Sequence, residues 1–131
     1  MKPSVSSTGR PSATAYTGLA DLNIIGVLFW DADGNITNAN DRFLQTVGYS
    51  REDLVAGALR WSEMTPGEWR AADVDALEEL AARGACTPFE KEYVRKDGTR
   101  VPVLLSALLV EESPDRNHGV AFVVDLSERN A

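Results

Sequence analysis

A chain of 131 residues, 44 % apolar and 25 % charged, has room for one domain built around one hydrophobic core. Its net charge of −7 argues against a nucleic-acid interface, which needs a clustered basic face, and against docking on an anionic membrane surface. The single cysteine, Cys86, excludes an internal disulfide and a cysteine-based metal centre, and no apolar run is long enough to span a bilayer; a cytoplasmic protein, or a cytoplasmic piece of a larger one, is the simplest reading.

Residues 1–17 are rich in Ser, Thr, Pro and Gly and read as a flexible leader, with the domain itself over 18–129 and the first residues of an output linker at 130–131. Residues 17–25 carry Leu19, Leu22 and Ile25 at helical spacing, a short amphipathic segment that needs a surface to dock on. The apolar run 26–30 ends in Asp-Ala-Asp-Gly-Asn, a strand and a turn with Gly34 free to take positive φ, and 36–39 returns as the second strand of a hairpin. Asn40 or Asp41 can cap a helix that buries Phe43, Leu44 and Val47 and stops at Gly48. Ser50-Arg51-Glu52-Asp53 has the form of a capping box for a further short helix ended by Gly57.

Thr65-Pro66-Gly67-Glu68 offers a capping hydroxyl and a proline at the first helical position, and predicts a helix over 66–83. Trp69, Ala72, Ala76, Leu77 and Leu80 form its apolar stripe, while Asp73, Asp75, Glu78 and Glu79 read as its solvated face. From 87 to 95 the chain alternates, with Phe89, Lys91 and Tyr93 on one side; the charges of 90–92 and 95–97 read as exposed strand and hairpin positions. Asp97-Gly98 marks a tight hairpin into a long apolar strand at 101–110. A polar loop with Pro114 follows at 111–117, and 119–126 closes the sheet. The expected fold is α+β: a five-stranded antiparallel sheet with short helices and one longer helix packed on one face.

Four strings in this order resemble the PAS domain family: Asp-Ala-Asp-Gly-Asn-Ile at 31–36, residues 40–54 through Gly48-Tyr49-Ser50, Tyr-Val-Arg-Lys-Asp-Gly-Thr at 93–99, and Val-Asp-Leu-Ser-Glu-Arg at 124–129. They span about residues 19–129, and the stretch 61–93 is similar to PAS domains attached to bacterial sensor histidine kinases. The resemblance implies a cytosolic input module that senses a small ligand or a partner, often as a homodimer, and biases an effector domain in the same parent chain. It also implies that the long helix walls a ligand cavity. Trp61, Met64 and Trp69 would then line it, faced by Phe89 or Tyr93, Leu105 and Phe122, although core packing accounts for the same rings. Asp125 and Ser127 stand where the family couples the sheet to its output. A ligand-free dimerisation module using Leu19, Leu22 and Ile25 is the alternative, and a small enzyme working through buried carboxylates a third reading.

The sensed signal and any cofactor are left open by the residues themselves. Asn-Asp-Arg-Phe-Leu-Gln at 40–45 is close to the flavin-adduct motif of the LOV subgroup, but Asp41 stands where the reactive cysteine belongs. A carboxylate cannot replace that thiol. Haem-binding members of the family carry their ligating histidine on the long helix, and the only histidine here, His118, lies elsewhere. Cys86 has no second thiol to pair with and reads as a small buried hydrophobe. No metal-ligand spacing, phosphate loop or nucleophile–base arrangement is visible, so the chain is not expected to be an enzyme.

Overall fold

The computed structural model describes residues 24–110 and 117–127. The expected leader, the amphipathic segment carrying Leu19 and Leu22, the loop around Pro114 and the last residues of the chain lie outside them. Five strands, β1 (Gly26–Asp31), β2 (Ile36–Ala39), β3 (Phe89–Val94), β4 (Arg100–Leu109) and β5 (His118–Asp125), form one sheet in the order β2-β1-β5-β4-β3. Every pairing is antiparallel. Between β2 and β3 come α1 (Asp41–Val47), α2 (Arg51–Val55), α3 (Trp61–Met64), a 3-10 turn at Gly67–Trp69 and α4 (Arg70–Arg83).

Local chemistry sets the joints. Asp31 folds the β1–β2 turn by accepting from the backbone N–H groups of Asp33 and Asn35 and from the Asn35 side chain, each at 3.0 Å. Asn40, not Asp41, caps α1. Its Oδ1 accepts from Phe43 N–H and Val27 N–H at 3.0 Å, and its Nδ2 donates to the Ile25 carbonyl at 2.9 Å, so one buried side chain ties the helix start to β1. The Ser50–Asp53 capping box is closed in both directions. Gly48 and Gly84 end α1 and α4 in the left-handed conformation that glycine adopts without strain.

The strand register divides the sheet into two faces. Phe89, Lys91 and Tyr93 of β3 pair with Leu105, Val103 and Val101 of β4, and Leu105 and Ala107 pair in turn with Val123 and Ala121 of β5. With Leu28 and Trp30 of β1, these side chains turn toward the helices and hold the main core. The other face gathers Val27, Phe29, Leu108, Val110, Val120 and Phe122 into a smaller cluster.

The start of the long helix departs from expectation. Thr65 caps nothing: its hydroxyl donates to the Trp61 carbonyl at 2.7 Å and accepts from Lys91. Pro66 stays extended at φ −59°, ψ 151°, and the chain makes a 3-10 turn before the α-helix begins at Arg70. The expectation that Asp73 and Lys91 are solvated fails too, since both are buried.

Candidate functional site

A cavity of about 50 Å³ lies between α4 and the inner face of the sheet. Leu28, Trp30, Leu105, Ala107 and Ala121 form its floor, Ala76, Leu77 and Leu80 its roof, and Trp61 and Phe89 contribute further wall. Lys91, Asp73 and Tyr93 also line it. The surroundings are therefore apolar apart from one charged cluster and the polar edges of the rings.

The charged cluster joins α4 to β3. Lys91 Nζ donates to Asp73 Oδ1 and Oδ2, both at 2.9 Å, and to Thr65 Oγ1 at 2.7 Å, and it lies 4.4 Å from the centre of the Tyr93 ring. The lysine side chain is 1 % exposed and the aspartate 12 %. Burial pushes the Lys91 ammonium below its ordinary value, against the opposing pull of Asp73. Burial first, and the Asp73 charge second, raise the Tyr93 hydroxyl well above the usual phenol range. Tyr93 is fixed by an edge-to-face contact with Phe43, centroids 5.7 Å apart at 83°. The charge at this wall is thus balanced within the protein.

Trp30 is the second polar feature. Its side chain is buried and its indole N–H has no acceptor among the described residues. In the β1–β5 ladder it stands opposite Gly119, where a Cβ would overlap the indole ring and the Leu108 carbonyl. Glycine at 119 therefore lets the ring lie flat on the sheet. The other two indoles are partnered: Trp61 donates to the Asp31 carbonyl at 3.0 Å and Trp69 to Glu92 Oε1 at 3.3 Å.

Of the expected lining residues, Trp61, Tyr93 and Leu105 reach the cavity, as does Phe89. Met64 is buried in the same core without lining it, and Trp69 sits half-buried above Glu92. Phe122 belongs to the opposite face, because its partners Ser106 and Val27 point away from the helices while its neighbours Ala121 and Val123 point inward. Asp125 and Ser127 adjoin one another at the end of β5, with Ser127 N–H donating to Asp125 Oδ1 at 2.8 Å. Asp125 stands in the same cross-strand row as Lys91, with Val103 between them.

Asp41 is exposed at the start of α1 and pairs with Arg51 at 2.6 Å, and Cys86 is buried with its thiol pushed up by desolvation. Among the described residues no cluster of His, Cys, Asp and Glu is arranged to hold a metal, and no helix is long and apolar enough to cross a membrane.

Comparison with known proteins agrees with this architecture. The family model for the PAS domain matches residues 24–128. The chain belongs to the PAS domain family. Over 112 residues it is 42 % identical to the hybrid signal transduction protein dokA of Dictyostelium discoideum, covering 86 % of this chain but only 7 % of that protein's length. Among solved structures it resembles a domain of a sensory box sensor histidine kinase/response regulator from Geobacter sulfurreducens, with a TM-score of 0.66, 24 % identity, and coverage of 86 % of this chain and 93 % of that one. A PAS domain of a LuxR-family transcriptional regulator from Burkholderia thailandensis, in complex with ethanol, superposes with a TM-score of 0.68 at 19 % identity, over 86 % of this chain and 97 % of that one. A PAS domain is a sensory module of a signal transduction protein and is not itself catalytic.

Proposed function

We propose that this PAS domain is the cytoplasmic input domain of a sensor histidine kinase, that it takes a small molecule into the cavity under α4, and that occupancy biases an effector domain in the same parent chain. The observation that supports this reading is a small, mostly apolar cavity whose wall is tied to the output end of the sheet. Lys91 lines the cavity, Val103 stands beside it in the ladder, and Asp125 is the next residue across. A ligand that moves α4 pulls on Lys91 through Asp73, and the ladder carries that strain toward Asp125 and Ser127.

Xenon under pressure tests occupancy without presuming the ligand's chemistry, because dry apolar cavities bind it. Amide signals of Leu77 and Leu105 shift with xenon in the wild-type chain and stay still in Ala76→Leu, which fills the space from the roof. Unmoved signals in the wild type overturn the ligand-sensing reading.

The outer sheet face favours a second reading, a ligand-free dimerisation module. Leu104 and Val124 are 36 % and 40 % exposed there, beside half-buried Phe29 and Phe122. Sedimentation of the full chain against Leu104→Lys/Val124→Lys decides it: a dimer that becomes a monomer supports the reading, and a wild-type monomer removes it.

A further inference from the structure

The cavity owes its space to small side chains. Ala107 and Ala121 pair across the β4–β5 ladder on the floor, and Ala76 stands in the roof. The charged groups at the wall are already engaged. The Lys91 ammonium has three donors, and Asp73 Oδ1, Asp73 Oδ2 and Thr65 Oγ1 receive them at 2.7–2.9 Å. An incoming anion would bring an uncompensated charge beside Asp73, and an incoming cation one beside Lys91. Neighbouring polar groups are withheld as well. The Thr65 hydroxyl donates to the Trp61 carbonyl, the Trp61 indole N–H donates to the Asp31 carbonyl, and the Trp30 indole N–H is buried away from accessible space. Lys91 and Tyr93 are themselves covered almost completely, at 2 % and 1 % exposure. The surface left for a ligand is almost entirely carbon.

Size gives a second restriction. A dry apolar cavity of about 150 Å³ holds one benzene, so 50 Å³ suits a molecule of about two to four heavy atoms. On such a lining a ligand gains by leaving water and by dispersion contact. A hydroxyl or carbonyl carried in would lose its water partners and find none in exchange. Resting on the reading that this cavity takes a ligand, we infer that the ligand is a neutral apolar molecule of this size, a dissolved gas or a short hydrocarbon. The Lys91–Asp73 pair then serves to exclude charged molecules, because its own hydrogen bonds leave nothing to recognise them with.

Four probes test the inference on the full chain through the amide signals of Leu77 and Leu105 in nitrogen–proton correlation spectra. Propane and ethanol have equal numbers of heavy atoms and differ by a hydroxyl, acetate supplies the anion, and benzene the larger apolar molecule. The expected result is saturable movement of both signals with propane, binding at least about tenfold weaker for ethanol because its hydroxyl goes unpaired, and no movement with acetate or benzene. Dioxygen under pressure, followed by its paramagnetic broadening of the same two signals, then tells a gas from a hydrocarbon. Ethanol bound as tightly as propane overturns the inference by revealing a polar anchor. Acetate bound most tightly overturns it in favour of an anion site at Lys91, and benzene bound by the wild type overturns the size limit. Signals that move with xenon but not with propane also overturn it, while the ligand-sensing reading stands. If no probe binds and xenon is excluded too, that reading falls with the inference.

Discussion

Replacing Lys91 with Met removes the cation of the α4–β3 pair but leaves Asp73 among apolar groups. The lysine side chain is 1 % exposed and makes three short hydrogen bonds, so little water is available to compensate. Breaking a buried pair by deleting one partner costs about 3–5 kcal/mol. Asp73, at 12 % exposure, retains some access to water, which places the expected cost near the lower end, about 3 kcal/mol. That corresponds to a fall in Tm of about 12 °C, at about 4 °C per kcal/mol for a domain of this size. Replacing both partners, in Lys91→Met/Asp73→Leu, leaves no orphaned charge and restores stability to within about 1 kcal/mol of the wild type or above it. The lowered Lys91 value has the same sign, since burial there outweighs the attraction of Asp73. Urea unfolding of the four proteins, with equal slopes, gives the coupling energy directly. A Lys91→Met variant within about 1 kcal/mol of the wild type would refute the claim that this pair is desolvated.

Three further outcomes follow from the same geometry. Gly119→Ala is expected to lose about 2 kcal/mol and to alter Trp30 fluorescence, because the added methyl meets the indole ring and the Leu108 carbonyl; an unchanged emission maximum and Tm would contradict the packing described. Asn40→Ala loses the α1 cap and strands the buried Val27 N–H, an expected cost of about 2–3 kcal/mol in chemical denaturation, and a loss below about 0.5 kcal/mol would sink the account of that joint. The backbone N–H of Ser50 and the Lys96 ammonium hold Asp53 below its ordinary 3.8, the Thr99 hydroxyl and N–H do the same for Asp97, and the Thr87 N–H and hydroxyl hold Glu79 below 4.5. These groups lend stability that is complete above their ordinary values and lost as pH falls through the lowered ones, so Tm drops between about pH 5 and about pH 2 and a rise over that interval would reverse the sign argued here.

Fold and site differ in how far the residues alone disclose them. Asp97-Gly98, the Ser50–Asp53 box and the apolar positions of α1 act within a few residues of themselves, and each appears where local chemistry puts it. Lys91 and Asp73 are 18 positions apart, and a charged residue on an alternating strand or a helix looks the same in water as in a buried pair. Only their shared burial in the assembled fold distinguishes them. The Thr-Pro-Gly-Glu string at 65–68 has the composition of a cap, but Lys91 and the Trp61 carbonyl occupy the Thr65 hydroxyl. For Phe122 alternation is silent, because β5 is apolar on both sides and the pattern does not say which side turns inward; the register with Ser106 and Val27 decides it. The orphaned indole of Trp30 has no local signal either, since Trp61 and Trp69 are the same residue type and both find acceptors.

The central claim is that occupancy of the cavity reaches the end of β5. It is tested most directly by titrating the full chain with xenon under pressure and following the amide of Leu105, at the cavity floor, together with that of Ser127, hydrogen-bonded to Asp125. Movement of both signals with one common midpoint, and loss of both in Ala76→Leu, is the result expected. A Leu105 signal that saturates while Ser127 stays still would show a cavity that binds without signalling, and would contradict the account.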